Sequence, residues 1–152
     1  MKMSRAVVTV GLVLGLSGAA WAGAPATGLG QQWPNATDLS RSPHYHVYAF
    51  VQNGVRFIQV NSSNGTVLGA IGTAGGQYIV LPMGNALQVS TPQQSATTSS
   101  TAVPAASPTT VYNDGTTAVT ATPMSDGTTA LVTSDICSDP ASCGSHAVKQ
   151  VQ

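Results

Sequence analysis

From Tyr45 to Leu81 short apolar runs are separated by glycine-containing pairs, and this rhythm is the strongest structural signal in the chain. Asn53-Gly54 and Asn64-Gly65 each stand between runs rich in Val, Ile, Phe and Tyr. Asn-Gly favours a two-residue type I′ hairpin turn, because both of its central residues need positive φ. With a third reversal at Gly75-Gly76, the stretch predicts a four-stranded antiparallel meander. A turn at Asn53-Gly54 sets Gln52 opposite Val55, then Val51 opposite Arg56, Phe50 opposite Phe57, Ala49 opposite Ile58 and Val47 opposite Val60. The same rule at Asn64-Gly65 sets Ser63 opposite Thr66 and Ile58 opposite Ile71, and Gly75-Gly76 sets Ile71 opposite Val80.

Side chains alternate along a strand, and a one-residue slip turns every one of them over. The three registers agree in gathering Tyr45, Val47, Ala49, Val51, Ile58, Val60, Val67, Ile71, Tyr78 and Val80 on one face. His44, His46, Tyr48, Phe50, Phe57, Gln59, Leu68, Ile79 and Leu81 fall on the other, which is still too apolar to stay in water. The meander, residues 44–83, is therefore expected to be covered on both sides.

A second, weaker pattern lies further on, where VYNDGTTAVTAT is followed by PMSDGTTALVTS with Asp-Gly-Thr-Thr recurring. Asp114-Gly115 and Asp126-Gly127 read as hairpin turns on the same argument as Asn-Gly, joining strands near Thr110–Tyr112, Thr117–Thr122 and Thr128–Ser134. This two-hairpin unit, residues 111–136, either extends the first sheet or covers one of its faces. Between the two units, residues 84–110 form a Ser/Thr/Pro/Ala tract without apolar alternation, which predicts a disordered linker. The fold class is thus all-β, a small meander plus a C-terminal two-hairpin unit.

Ahead of the meander, residues 23–43 read as an irregular arm, with a single helical turn starting at Asn35 or Thr37. Trp33 in that arm is costly to expose, so it is expected to pack on the second face of the sheet; the competing reading is a tryptophan at a binding surface. Residues 1–22 carry Lys2 and Arg5, the apolar run AVVTVGLVLGLSGAA and Ala20-Trp21-Ala22, the marks of a secretory signal peptide cut after Ala22. A periplasmic or secreted chain of about 130 residues would remain, with no stable membrane span and enough length for one modest domain. In such a chain Cys137 and Cys143 are expected to pair as a disulfide, with residues 137–152 forming that loop and a tail.

Charge is scarce. The expected mature chain has Arg41, Arg56 and Lys149 as strong bases against five aspartates and no glutamate, a net charge near −2. That balance argues against nucleic acid and anionic membrane as partners, since both need clustered Lys and Arg. Not one charged side chain lies between Phe57 and Asn113.

Candidate chemistry is thin. His44 and His46 sit two apart in a predicted strand, so both would project from one face and could share a copper or zinc ion, with His146 as a distant third ligand. The plainer account places them at the start of an exposed strand, with no carboxylate or thiol near in sequence. Asp114 and Asp126 each stand alone beside a glycine, which fits turn chemistry better than a calcium loop. Gly69, Gly72, Gly75 and Gly76 resemble a dinucleotide loop in letters only, because no helix follows and no acid appears at the ribose distance. Cys143 with His146 is better read as half of a disulfide than as a nucleophile and base, and neither a nucleophile elbow nor paired carboxylates occur. No cofactor is expected.

The run WPNATDLSRSPHYHVYAFVQNGVRFIQVNSSNGTVLGAIG, and the chain on to about Pro82, resembles uncharacterised small exported proteins of Gram-negative bacteria. The resemblance implies export and carries over no functional residue. Together these features predict an exported, non-enzymatic structural or protein-binding β protein. It would meet a protein partner or a second copy through an open strand edge or an apolar sheet face presenting Trp33, Tyr48, Phe50 and Phe57. The rival reading is a periplasmic metal- or small-ligand-binding protein that uses His44, His46 and the neighbouring aromatics.

Overall fold

A computed structural model describes residues 25–97 and 101–136. The protein is all-β, with two four-stranded sheets packed face to face. The first sheet contains β1 (Tyr45–Gln52), β2 (Val55–Ser62), β3 (Val67–Ala74) and β4 (Gln77–Val80), an antiparallel meander in chain order. The β1–β2 hairpin has the predicted register throughout, from Gln52 opposite Val55 to Val47 opposite Val60. Asn53 and Gly54, at φ 51° and 79°, supply the left-handed pair that a type I′ turn demands. Ile71 lies opposite both Ile58 and Val80, also as predicted.

The β2–β3 reversal differs in detail. Among the non-glycine residues described only Asn53 has positive φ, so Asn64 cannot fill the first position of a type I′ turn. Instead Ser63, Asn64 and Gly65 form a three-residue loop, closed by Ser62 N–H donating to Thr66 O at 2.9 Å and Gly65 N–H donating to Ser62 O at 2.9 Å. This loop shifts the pairing by one residue, and a β-bulge opposite Val60 and Asn61 shifts it back. Asn61 faces Val67 and Val60 faces Gly69, leaving Leu68 as the extra residue. Leu68 therefore packs on the core in place of Val67, reversing the face predicted for both. Val51 also departs from expectation: beside the turn, it is 67% exposed.

The second sheet contains β5 (Val89–Ser90), β6 (Thr109–Asn113), β7 (Thr117–Pro123) and β8 (Thr129–Asp135), in the order β5-β8-β7-β6. Strands β6, β7 and β8 are the predicted two hairpins. Their turns are not two-residue type I′, since Gly115 and Gly127 take positive φ and the preceding aspartates do not. The Asp126 loop repeats the Asn64 geometry, with Met124 N–H donating to Thr128 O at 2.9 Å and Gly127 N–H donating to Met124 O at 3.1 Å.

The tract predicted to be a disordered linker is ordered where the structure describes it. Ala86–Gln88 form a single 3-10 turn, and β5 runs parallel to β8 with Val89 opposite Leu131. Further on, Ala105 N–H donates to Pro123 O and Ser125 N–H donates to Val103 O. The tract lacks apolar alternation because its buried apolar contact is a single side chain, Val89, 1% exposed and seated on Gly69 between the buried polar residues Gln88 and Thr91. A methyl at Gly69 would fall 2.7 Å from Val89 Cγ2 and 3.0 Å from Leu131 Cδ1, so the missing side chain is what lets the sheets meet there.

Of the two arrangements open to the hairpin unit, it covers a face of the meander rather than extending its sheet, and the two share one core. Val47, Ile58, Val60, Ile71 and Tyr78 face Val89, Val111, Tyr112, Val119, Ala121 and Leu131. Each fully buried aliphatic side chain contributes about 1.5–3 kcal/mol, so this contact dominates stability. No helical turn starts at Asn35 or Thr37; the arm instead makes isolated bridges, Thr27 with Asn35 and Asp38 with Tyr48. The expected signal peptide and the Cys137–Cys143 disulfide lie outside the described residues.

If Val89 belongs to the core, Val89→Ala lowers unfolding free energy by about 2 kcal/mol, and Gly69→Ala by about 1–3 kcal/mol through overpacking. Because the two residues touch, the double variant loses less than the sum of the single losses, as read from urea denaturation. Strict additivity with a negligible Val89→Ala effect would place β5 outside the core.

Candidate functional site

On the face of the first sheet turned away from the second, the arm covers β1 and β2 through polar groups, while Ile79 on β4 stays exposed. Gln59 and Asn61, both 0% exposed, project from β2 beneath residues 30–32. Gly30 N–H donates to Gln59 Oε1 at 2.6 Å, Gln59 Nε2 donates to Gln31 O at 2.8 Å, and Asn61 Nδ2 donates to Gln32 O at 2.7 Å. Gln59 Nε2 also donates to Asn61 Oδ1 at 2.8 Å, joining the two amides in one network. These bonds satisfy groups that would otherwise be costly to bury.

Asp38 fastens the next part of the arm. Its Oδ1 accepts from Val47 N–H and Ser40 N–H, each at 2.9 Å, and its Oδ2 lies 2.7 Å from His46 Nδ1. Partial burial alone would raise the Asp38 carboxyl, but the bonds from His46, Val47 and Ser40 outweigh it and hold the group below its ordinary value. Burial and the nearby Asp38 charge push the Tyr48 hydroxyl up. Leu39 N–H donates to Val47 O at 2.7 Å and Arg41 N–H to Val111 O at 2.8 Å, so this segment caps the outer strands of both sheets along one side.

Of the four aromatics expected at a partner surface, this cover leaves one in the open. Tyr48 and Phe50 are buried, at 5% and 0% exposure, and Phe57 is half-buried. Trp33 is 57% exposed. Its ring meets His46 edge to face at 5.2 Å between centroids, and His46 in turn stacks on Tyr48 at 6.4 Å. Trp33 also rests on Gly65, where a methyl would come within 2.8 Å of the indole. It touches the second face at His46 but is not buried there as expected, and it stays at the surface above residues already packed.

The structure does not bring His44 and His46 into a larger cluster of metal-ligating side chains among the described residues. His44 is exposed just before β1, His46 Nδ1 is engaged by Asp38, and no group of three His, Cys, Asp or Glu side chains comes together among the described residues. His146 lies outside those residues.

A second feature was not anticipated. The β1–β2, β3–β4 and β6–β7 turns converge with the end of β8 around a cleft of about 370 Å³. Arg56 and Asp114 form an ion pair across it, tying the first sheet to the second. Asp114 Oδ1 also accepts from Thr116 N–H at 2.9 Å, Thr116 Oγ1 at 2.9 Å and Thr117 N–H at 2.8 Å, while its Oδ2 accepts from the Tyr112 hydroxyl at 3.1 Å. Burial opposes ionisation, but these turn hydrogen bonds prevail and bring the carboxyl down to about 2. Burial, with the Asp114 charge beside it, pushes the Tyr112 hydroxyl up. Deeper in, Tyr78 OH lies 2.9 Å from Thr117 Oγ1 and 3.4 Å from Asp135 Oδ1. A signal for the pair does exist in the sequence: Arg56 and Asp114 are the charged residues that flank the long uncharged stretch.

No protein-family model, curated protein or solved structure matches the chain.

Two outcomes follow from these charges. The folded pKa of Asp114 lies below the ordinary 3.8, so its ionised form stabilises the fold above about pH 4, and that contribution is lost as pH falls toward about 2. Urea midpoints should drop over that window, and Asp114→Asn should lower the neutral-pH midpoint while making the acid decline shallower. In Asp38→Ala, amide exchange at Leu39 and Val47 should quicken by tenfold or more while core amides such as Ile58 keep their protection. Unchanged exchange would mean that Asp38 does not hold the arm.

Proposed function

We propose that the protein is an exported, non-enzymatic binding or structural module that meets a partner through a surface anchored on Trp33. The observation that carries this reading is a tryptophan held in a fixed pose and left more than half exposed, although burying it would add stability. A rigid exposed indole loses little conformational entropy on binding, and such side chains anchor protein interfaces. The Gly65 backbone, the His46 ring and the Asp38 carboxylate behind it provide the support an anchor needs. Export rests on the leader-like residues 1–22. Among the described residues no helix is long and apolar enough to cross a membrane.

The route through an open apolar sheet face narrows to the row of Phe57 and the exposed Ile79, because one face is packed on the second sheet and the arm covers the other at Gln59 and Asn61. Strand addition is also constrained: β1 and β6 are capped by residues 39–41, and the remaining edge strands β4 and β5 are four and two residues long.

After removal of residues 1–22, Trp33 is the sole tryptophan, so its fluorescence reports the surface directly. The mature chain should form a complex, with itself or with another envelope protein, that shifts this emission. Trp33→Ala should weaken that complex by tenfold or more, about 1.4 kcal/mol, with little change in Tm. A complex of undiminished affinity in Trp33→Ala would refute the anchor.

A further inference from the structure

The cleft at the turn end is separate from the Trp33 surface. In an antiparallel meander the β2–β3 loop, which supports Trp33, lies at the opposite end from the β1–β2 and β3–β4 turns, which shape the cleft. Its volume of about 370 Å³ falls within the range of small-ligand sites. Its polar walls are held in place before any ligand arrives. Asp114 is fixed by three turn donors and Arg56, and Tyr78 is fixed between Thr117 and Asp135.

We propose that this cleft is a binding site for a small neutral polyhydroxylated molecule, such as one sugar unit of a glycan. The groups left for a ligand are of both kinds. Arg56 gives one nitrogen to Asp114, its side chain is 45% exposed, and the guanidinium has further N–H donors. Asp135, exposed at the end of β8, offers carboxylate acceptors, the Thr73 hydroxyl both donates and accepts, and the Thr116 hydroxyl, its proton given to Asp114, still accepts.

Charge then selects among ligand classes. One guanidinium stands against two carboxylates, so a phosphate or carboxylate meets a positive group already neutralised and a second negative charge nearby. A cation meets Asp135 together with the outward part of Arg56. A sugar hydroxyl avoids both conflicts, because it accepts from the guanidinium through oxygen and donates to the carboxylate through its proton. An apolar ligand finds little to bury against, since Tyr78 is only 6% exposed and the wall is otherwise built of Thr, Gly, Ala and charged residues.

The test is an amide-resolved NMR titration of the mature chain. The probes are neutral hexoses and their disaccharides, inorganic phosphate, free glycine as a zwitterion and ammonium. Support is a saturable shift, confined to Gly54, Thr73–Gly76 and Thr116, with at least one neutral saccharide. That affinity should fall about tenfold in Asp135→Ala and be weakened in Thr73→Val, which removes one hydroxyl outside the Asp114 and Tyr78 networks. Trp33 emission and core amide shifts check that both variants remain folded, and binding should survive Trp33→Ala. The proposal is overturned if no neutral saccharide gives a saturable shift. Tighter binding of phosphate, glycine or ammonium, or shifts centred on Trp33, would overturn it equally.

Discussion

A sheet that is apolar on both faces cannot stand in water, and the rest of the structure answers that constraint. The first sheet is covered twice, by different means. One face meets the second sheet in an apolar contact of Val47, Ile58, Val60 and Ile71 with Val89, Val119 and Leu131. The other meets an arm with no regular secondary structure, and so with backbone groups left to satisfy. Gln59 and Asn61 resolve that difficulty by extending amides from the strand to the arm's carbonyls and to Gly30 N–H. Two polar side chains on either side of Val60 in a strand are thus the means by which an irregular segment can lie on a sheet.

Charge is used sparingly and for fastening. Asp38 pins the arm to β1 through His46 and Val47, and Asp114 holds its own turn while reaching Arg56 on the other sheet. Each carboxylate bonds turn or strand N–H groups as well as a charged or titratable partner, which is why both stay ionised below the usual carboxylate range. The Asp38 latch lies beside the exposed Trp33, and the Asp114 latch lines the polar cleft. The two places where the molecule presents organised surface are therefore also the places where its segments are tied together.

The capping of the edges fits the same economy. Residues 39–41 close the β1 and β6 side with backbone hydrogen bonds, and the other side ends in short strands. A chain this poor in charge, with two lysines and no glutamate, has little with which to discourage edge-to-edge pairing, so short strands and a crossing segment take over that task.

What the sequence determined by itself was local: the strands, the Asn53-Gly54 turn and the pairing it enforces. Those features follow from φ preferences and from a side-chain period of two, which act over a few residues. The β2–β3 register was also legible between Ile58 and Ile71, although for an incomplete reason, since a longer loop and a bulge at Leu68 cancel each other. Only the tertiary structure decided that Leu68 rather than Val67 turns inward, that Val89 in a Ser/Thr/Pro tract becomes core, and that the arm buries Tyr48 and Phe50 while leaving Trp33 outside. The Arg56–Asp114 pair belongs to the same class, because its members are 58 residues apart in the chain. Each of these depends on which distant surface arrives opposite a residue. Composition and periodicity record how much apolar surface must be covered, but not which segment covers it.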